Sequence, residues 1–281
     1  MLTPETVRQA AYGLMTADQL ESFKRELEID FAISEPGLGR FRVNVFYQRG
    51  YPAMVLRYIS ADMPKLDSLG LPDMFKDLIM MKRGLILMVG ATGSGKSTSI
   101  AAMINHRNEM SSDHIVTIED PIEFLHTNKR SIVNQREVGL DTKSLLARCA
   151  ASCAPLPTSS SSVKSATRRP WRRRSTSPAP GHLVLSTLHA NNSAETLDRI
   201  INMFPQDQHK QIFLDLSQYL RAILSQRLVV GKDGKRIAAI EVMLNTPYIT
   251  ELVEEGRRQR RSRKPSSPAP SAACRASTWR C

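Results

Sequence analysis

The sequence lacks any long apolar run, and this absence limits where the chain can reside. No stretch of 18 or more apolar residues occurs among the 281 residues, so no segment qualifies as a membrane-spanning helix. The N-terminus has neither the basic start nor the apolar stretch of a secretory signal. We therefore expect a cytoplasmic protein, and its 41% apolar content suffices for one large domain or two smaller ones.

Acidic residues are missing from two segments, 148–180 and 257–281. These segments hold fifteen Lys or Arg residues and no Asp or Glu, which leaves 24 basic and 27 acidic residues elsewhere. A net charge of +12 would ordinarily indicate a polyanionic partner. Because the excess comes from these two segments alone, we expect no nucleic acid as a partner.

Cysteine is also absent outside the same two segments, which contain Cys149, Cys153, Cys274 and Cys281. Both tryptophans and half of the sixteen prolines lie there too, so the composition changes sharply along the chain. The cysteine spacing is not that of a zinc site, and nothing indicates secretion. Free thiols are therefore expected, rather than zinc ligands or a disulfide framework.

Residues 1–58 have the pattern of a small α+β domain. Thr3 followed by Pro4 predicts a helix N-cap, and residues 4–28 predict one or two amphipathic helices. The segments DFAIS, RFRVNVFYQ and AMVLRYI, separated by the turns EPGLG and RGYP, predict a small antiparallel sheet. Residues 59–71 are polar and contain proline, and we assign them to a linker.

Residues 72–256 have the pattern of an α/β domain. LILMV, HIVTIE and LVLSTL predict buried strands, and TLDRIINMF and QIFLDLSQYLRAILSQRLV have the spacing of amphipathic helices. A strand, a Gly-rich turn and a helix follow one another at LILMV, which is the order found in parallel sheets.

The Gly-rich turn has the sequence GATGSGKS, residues 90–97, which satisfies the phosphate-loop pattern. Its glycines let backbone N–H groups surround phosphate oxygens, while Lys96 reaches the terminal phosphates and the Ser97 hydroxyl ligates Mg²⁺. We predict a site for ATP or GTP. The candidate nucleotide-binding residues are Gly90, Ala91, Thr92, Gly93, Ser94, Gly95, Lys96, Ser97 and Thr98.

Two further polar segments follow predicted strands. TIEDPIEF places Glu119, Asp120 and Glu123 together, where carboxylates would hold Mg²⁺ or accept a proton from water; a solvated acidic turn is the alternative. GHLVLSTLHANN carries His182, Thr187 and His189. These side chains could sense a phosphate, although histidines more often have structural roles.

The motifs VGATGSGKSTS, TIEDPIEF, VNQREVG and GHLVLSTLHANN, with GRFRVNVF and YQR before them, resemble the PilT/PilU twitching-motility ATPases of the secretion ATPase superfamily. The resemblance implies a PAS-like N-terminal domain, a RecA-like P-loop ATPase domain, and a ring of six subunits. It also implies ATP with Mg²⁺ as cofactors and pilus retraction at the cytoplasmic face of the inner membrane. The implied partners are the type IV pilus inner-membrane platform and a second motor ATPase.

The resemblance assigns roles to individual residues. Residues 90–97 match the Walker A loop, and His189 matches the histidine box. Glu119, Asp120 and Glu123 match an acidic box, in which Glu123 would be the general base or orient the attacking water. Arg42 and Arg57 match arginines that approach the nucleotide. Related pilus assembly and type II secretion ATPases commonly carry a tetracysteine module, and this sequence has no CxxC pair, which favours a retraction ATPase.

The resemblance fails between residues 148 and 180, where we expect the Walker B strand. The family carries a peptide of the type DVILIGEIRD there, whereas residues 158–167 are TSSSSVKSAT. Codons for the family peptide, translated one nucleotide late, give these ten residues. We therefore expect a frameshift that begins between residues 145 and 157 and is compensated near 180. A genuine Ser/Arg/Pro insertion, forming a disordered phosphate-binding loop, is the alternative.

The tail 257–281 fits the same hypothesis, because ACRASTWRC is what a family ending of the type GMQGFDMAL gives one base late. Lys164 stands where the family has Glu, so we expect nucleotide binding to survive and efficient hydrolysis to be lost. A pseudogene product or an inactive subunit is thus an alternative to an active ATPase. The family also carries a further N-terminal segment, and we expect part of the first domain to be missing.

Overall fold

The computed structural model describes residues 3–59, 62–138, 141–142, 162–165 and 182–259. The chain divides into two compact units: Met1–Asp62 with Glu123–Leu125, and Met63–Ile122 with the residues from His126 onward. The division falls inside the segment 59–71, which the sequence assigned to a linker. The domain boundaries themselves stay a prediction.

The first unit packs two helices against an antiparallel sheet with strand order β1-β2-β3, as the sequence predicted. The hydroxyl of Thr3 accepts a hydrogen bond from the Thr6 N–H at 3.2 Å and caps the first helix. Phe23 stacks on Tyr47 in the core, with ring centroids 4.9 Å apart. The elements are α1 (Pro4–Gly13), α2 (Ala17–Glu26), β1 (Glu28–Glu35), β2 (Gly39–Gln48) and β3 (Tyr51–Ile59).

The second unit is built on a five-stranded sheet with strand order β10-β9-β4-β8-β7, beside a parallel pair β5-β6, which confirms the predicted α/β class. β4 lies in the middle and runs parallel to both β8 and β9. The elements are α3 (Met74–Ile79), β4 (Gly84–Val89), α4 (Lys96–Met110), β5 (His114–Glu119), β6 (Ile132–Glu137), β7 (Ser162–Ser165), β8 (Leu183–Leu188), α5 (Ser193–Asn202), α6 (His209–Tyr219), β9 (Leu220–Val230), β10 (Arg236–Leu244) and α7 (Pro247–Gln259).

The central strand β4 is buried along its whole length, because helices cover both faces of the sheet. Ile86 and Met88 belong to the core that includes α4, whereas Leu85, Leu87 and Val89 belong to the core on the opposite face with α5 and α6. The alternation follows from the two-residue period of a strand. It explains why this strand is a continuous apolar run in the sequence.

The prediction of one long helix over QIFLDLSQYLRAILSQRLV is wrong in its second half. Helix α6 ends at Tyr219, and the chain continues at once as strand β9. Because β9 lies between β4 and β10 and is buried on both faces, its apolar residues do not alternate with polar ones and also fit a helical period. In addition, Leu66, within the predicted linker, is buried in the core of the second unit.

Strand β7 is the described part of segment 148–180. Its backbone pairs in parallel with β8, with Ser162 opposite Leu183 and Ser165 opposite Ser186. The remainder of the segment and the tail from residue 260 lie outside the described residues, so the frameshift stays a prediction. Within the described ranges, no helix combines the length and the hydropathy needed to cross a membrane.

Candidate functional site

The phosphate loop connects the carboxyl end of β4 to the first turn of α4. Gly90, Gly93 and Gly95 have φ values of 151°, 77° and 82°, a backbone region that glycine enters at little cost. Gly95 is the N-cap of α4, and Lys96 is the first helical residue. The strand–loop–helix order that the pattern requires is therefore present, and the loop N–H groups lie at the positive end of the helix dipole.

Two loop glycines lie too close to β9 to carry a side chain. A Cβ on Gly90 would be 2.3 Å from the backbone oxygen of Gln226 and 2.5 Å from Ser94 Oγ. A Cβ on Gly95 would be 2.8 Å from Gln226 Nε2, whereas one on Gly93 would meet nothing within 4 Å. Gly90 and Gly95 thus permit a close approach between the loop and β9.

The Lys96 side chain folds back over the loop. Its Nζ donates to the backbone oxygens of Gly90 at 2.9 Å and Ala91 at 2.6 Å. An ammonium group in this place stands beside the loop N–H groups, and phosphate oxygens could replace the two carbonyl acceptors. Ala91, Thr92 and Gly93 are exposed at the tip of the loop, and Ser97 and Thr98 are half-buried in the first turn of α4.

Gln226 on β9 contacts both ends of the loop, although no motif in the sequence indicates it. The residue is 2% exposed; Nε2 donates to the Ser94 backbone oxygen at 2.9 Å, and Oε1 accepts from Ser99 Oγ at 2.8 Å. The Ser94 hydroxyl is buried and has no hydrogen-bond partner among the described residues. The sequence feature that could have indicated Gln226 is a single amide side chain within the mainly apolar segment that forms β9.

The acidic segment begins at the carboxyl end of β5. Helix α4 starts at the phosphate loop and is about 22 Å long at 1.5 Å per residue. Because β5 follows almost directly, the chain returns along β5 towards the end of the molecule where the loop lies. Glu119 is 3% exposed, and its Oε1 accepts from Gln135 Nε2 at 3.1 Å. Asp120 and Glu123 are exposed, and Glu123 groups with the first unit.

A second buried carboxylate, Glu137, was not assigned a role from the sequence. It ends β6 as the register partner of Glu119, and its Oε2 accepts from the Ile122 N–H at 3.3 Å. The Glu137 N–H donates to Asp141 Oδ2 at 2.8 Å. The bond from Ile122 holds the acidic segment against the end of β6, and the bond to Asp141 fixes the turn that follows β6. Among the described residues, no group of three or more His, Cys, Asp or Glu side chains is placed to hold a metal ion.

The two histidines around β8 lie at opposite ends of the strand. His182 precedes β8 at its amino end, about 20 Å from the carboxyl end at 3.3 Å per residue. It therefore cannot contact a phosphate held at the carboxyl ends of the strands. Thr187 and His189 lie at the carboxyl end, as the sequence suggested, and His189 lines a small cavity with Leu188, Arg199, Asn202 and Met203.

The loop after β8 is tied to β9 and to α5. Ser225 Oγ and an Arg227 guanidinium nitrogen donate to the Asn191 backbone oxygen at 2.9 Å and 3.2 Å. The Asn191 N–H donates to Glu195 Oε2 at 2.8 Å. This backbone hydrogen bond, with that from Arg199, holds the pKa of Glu195 below its usual value. The loop that carries His189 is thus held in place at Asn191.

Arg42 and Arg57 lie opposite each other on β2 and β3 of the first unit. Arg42 forms an ion pair with Asp30 at 3.6 Å, and Arg57 is exposed. Their predicted approach to a nucleotide stays a prediction.

Comparison with known proteins agrees with this architecture. The family model described as "Type II/IV secretion system protein" matches residues 28–149 and 175–276, and the interval between the two matched parts lies inside segment 148–180.

Three related proteins are informative. The type IV pilus ATPase PilU of Pseudomonas aeruginosa is 47% identical over 91% of this chain and 67% of its own length. The type IV pilus retraction ATPase PilT of the same organism is 37% identical over 90% of this chain and 74% of its own. The crystal structure of the pilus retraction motor PilT with bound ADP superposes with a TM-score of 0.83 at 41% identity, covering 92% of this chain and 75% of that one. The chain belongs to the type II/IV secretion system protein family and, within it, to the PilT/PilU group of ATPases.

Proposed function

We propose that the chain is a motor ATPase of the type IV pilus machinery that powers pilus retraction and twitching motility. The observation that carries this proposal is the phosphate loop between β4 and α4, in a chain that superposes over most of its length on a pilus retraction motor with bound ADP. PilU, PilT and a gonococcal twitching motility protein are its relatives by sequence.

In this proposal residues 90–98 bind the phosphates of ATP. Loop N–H groups would donate to phosphate oxygens, and the Lys96 ammonium would exchange its bonds to Gly90 and Ala91 for bonds to the terminal phosphates. The Ser97 hydroxyl is an oxygen ligand of the type Mg²⁺ prefers, and the ion would take its other ligands from phosphate and water. Bound Mg²⁺ supplies neutralisation of phosphate charge.

Hydrolysis requires water to attack the γ-phosphorus, with cleavage of the bond to ADP and release of inorganic phosphate. Glu119, Asp120 and Glu123 are the candidates for orienting that water or accepting its proton, and His189 for sensing the γ-phosphate. Arg42 and Arg57 would add positive charge from the first unit. We further propose a homo-hexamer in the cytoplasm, peripheral at the inner membrane, with the pilus platform and a second motor ATPase as partners.

A catalytically impaired family member is the second candidate. It is favoured by the interval 150–174, which the family model does not match, and by Lys164 in place of the expected Glu. A pilus assembly or type II secretion ATPase is less favoured, since such relatives cover only 57–63% of this chain.

Single-turnover hydrolysis distinguishes the two candidates. We would mix excess protein with radiolabelled ATP and Mg²⁺, follow phosphate release, and compare Lys96→Ala with Lys82→Ala, an exposed lysine outside the loop. Phosphate release that depends on Lys96 and not on Lys82 supports a motor ATPase. Nucleotide binding without phosphate release would support the impaired form, and absence of binding would contradict both.

A further inference from the structure

We propose that Gln226 is a positioning residue that sets the nucleotide-binding conformation of the phosphate loop and connects this loop to the one that follows β8. The inference rests on the proposed function, because it concerns the same nucleotide site. Gln226 lies on β9, 132 residues after Ser94 in sequence, and neither its type nor its neighbours match a nucleotide-binding pattern.

The orientation of the Gln226 amide is fixed by its partners. The Ser94 backbone oxygen can only accept a hydrogen bond, so the NH₂ group must face it. The amide oxygen then faces Ser99, whose hydroxyl donates to it from the second turn of α4. One buried side chain therefore holds the last part of the loop and the helix that follows it at a set distance from β9.

The backbone of the loop is shaped to the same residue. Gly90 approaches the Gln226 backbone oxygen, and Gly95 approaches its side-chain nitrogen, so closely that neither has room for a Cβ. The first and the last glycine of the phosphate-loop pattern are thus explained in part by contact with Gln226. A change in the Gln226 amide group would therefore alter the direction in which the loop N–H groups point.

The neighbours of Gln226 point to the other face of the sheet. Ser225 and Arg227 both donate to the Asn191 oxygen, in the loop that begins with His189. Three consecutive residues of β9 thus hold two loops that leave the neighbouring strands β4 and β8 at their carboxyl ends. A displacement of the phosphate loop by nucleotide would be transmitted through β9 to the His189 loop.

Gln226→Glu tests the donor without changing the shape of the side chain. An ionised carboxylate cannot donate to the Ser94 oxygen and repels it, whereas a protonated carboxyl can donate as the amide does. Calorimetric titration of the full chain with Mg²⁺ and a non-hydrolysable ATP analogue, at about pH 8 and about pH 6, measures the effect. Gln218→Glu, on exposed α6 surface, introduces the same charge elsewhere and is the matched control.

We expect Gln226→Glu to weaken analogue binding about tenfold or more at the higher pH, the effect of leaving one buried group unpaired, and to recover much of the affinity at the lower pH. Gln218→Glu should bind as the wild type does at both pH values. Equal affinity of Gln226→Glu and wild type, or a loss that is the same at both pH values, would overturn the inference.

Circular dichroism and thermal unfolding establish that each variant is folded. If Gln226→Glu does not fold, Ser99→Ala replaces it, since this variant removes one of the two bonds and leaves the amide in place. A several-fold loss of affinity in Ser99→Ala supports the inference, and unchanged affinity overturns it. A wild-type chain that binds no nucleotide would overturn the proposed function, and the role of Gln226 with it.

Discussion

At the residue scale, Gly90 is a position where the phosphate loop has no space for a side chain. Gly90→Ala would place a Cβ against the Gln226 backbone oxygen, which cannot move aside as a flexible side chain would. We expect the free energy of unfolding of the second unit to fall by about 3 kcal/mol, together with a loss of nucleotide binding. Urea denaturation and nucleotide titration measure the two effects.

Gly93→Ala is the matched control for this substitution. Gly93 also has a positive φ, but a Cβ there meets nothing within 4 Å. The cost should be limited to the backbone conformation, about 1 kcal/mol. Equal losses of stability in Gly90→Ala and Gly93→Ala would show that conformation, rather than the approach of β9, makes Gly90 necessary.

The stabilisation that Glu195 gives to the loop after β8 depends on pH. Because hydrogen bonds from Asn191 and Arg199 lower its pKa in the folded state, the stabilisation is present above the unfolded value and is lost as the pH falls through the lowered folded value. Glu195→Gln should therefore lower the thermal midpoint at neutral pH, and its difference from wild type should disappear on acidification below about pH 4. Glu251→Gln, which removes an exposed glutamate on α7, is the matched control for the loss of one surface carboxylate.

At the element scale, the end of α4 is fixed to the start of β5 by a buried ion pair. The Arg107 guanidinium is 3% exposed; Nε and a terminal nitrogen each lie 2.8 Å from Asp113 Oδ2, and another nitrogen donates to the Met81 oxygen at 2.9 Å. Asp113→Ala would leave the arginine charge buried without this partner. We expect a loss of about 3 kcal/mol in the free energy of unfolding.

Asp73→Ala is the control for this pair. The Asp73 side chain is 92% exposed and pairs with Lys76 at the surface, where water and salt screen the interaction. Chemical denaturation should detect no change for Asp73→Ala. If the two alanine variants were equally stable, the buried pair would contribute nothing beyond a surface pair.

Elements whose pattern is local could be predicted, and those that depend on distant contacts could not. The phosphate loop, β4 and α4 follow from adjacent residues, because glycine conformations and a buried strand leave a local signature. Strand β9 was taken for helix, since its burial comes from β4 and β10 rather than from its own period. Gln226 and Glu137 were missed for the same reason: each acquires its role only when strands far apart in sequence become neighbours.

At the scale of the whole molecule, segment 148–180 interrupts an otherwise continuous family match. The family model matches on both sides of residues 150–174. Strand β7 lies within segment 148–180 and pairs with β8, which follows the segment. β7 lies in the segment where the resemblance implies the Walker B element. Residues 158–167 contain Val163 as their one large apolar residue, and Lys164 stands in place of the expected carboxylate.

The frameshift hypothesis predicts that a chain with the frame restored across 148–180 hydrolyses ATP much faster than the chain as given. Both chains should bind nucleotide through residues 90–97. The reason is that the shift leaves the phosphate loop untouched and replaces the strand that should carry the catalytic carboxylate. Lys164→Glu in the chain as given is the matched control, because it restores the carboxylate without the apolar strand around it. Deep resequencing of the genomic DNA across codons 140–185 and from 250 to the stop checks the shift itself. An unchanged genomic sequence, together with equal hydrolysis by the given and the restored chains, would establish the segment as a genuine insertion in a working ATPase.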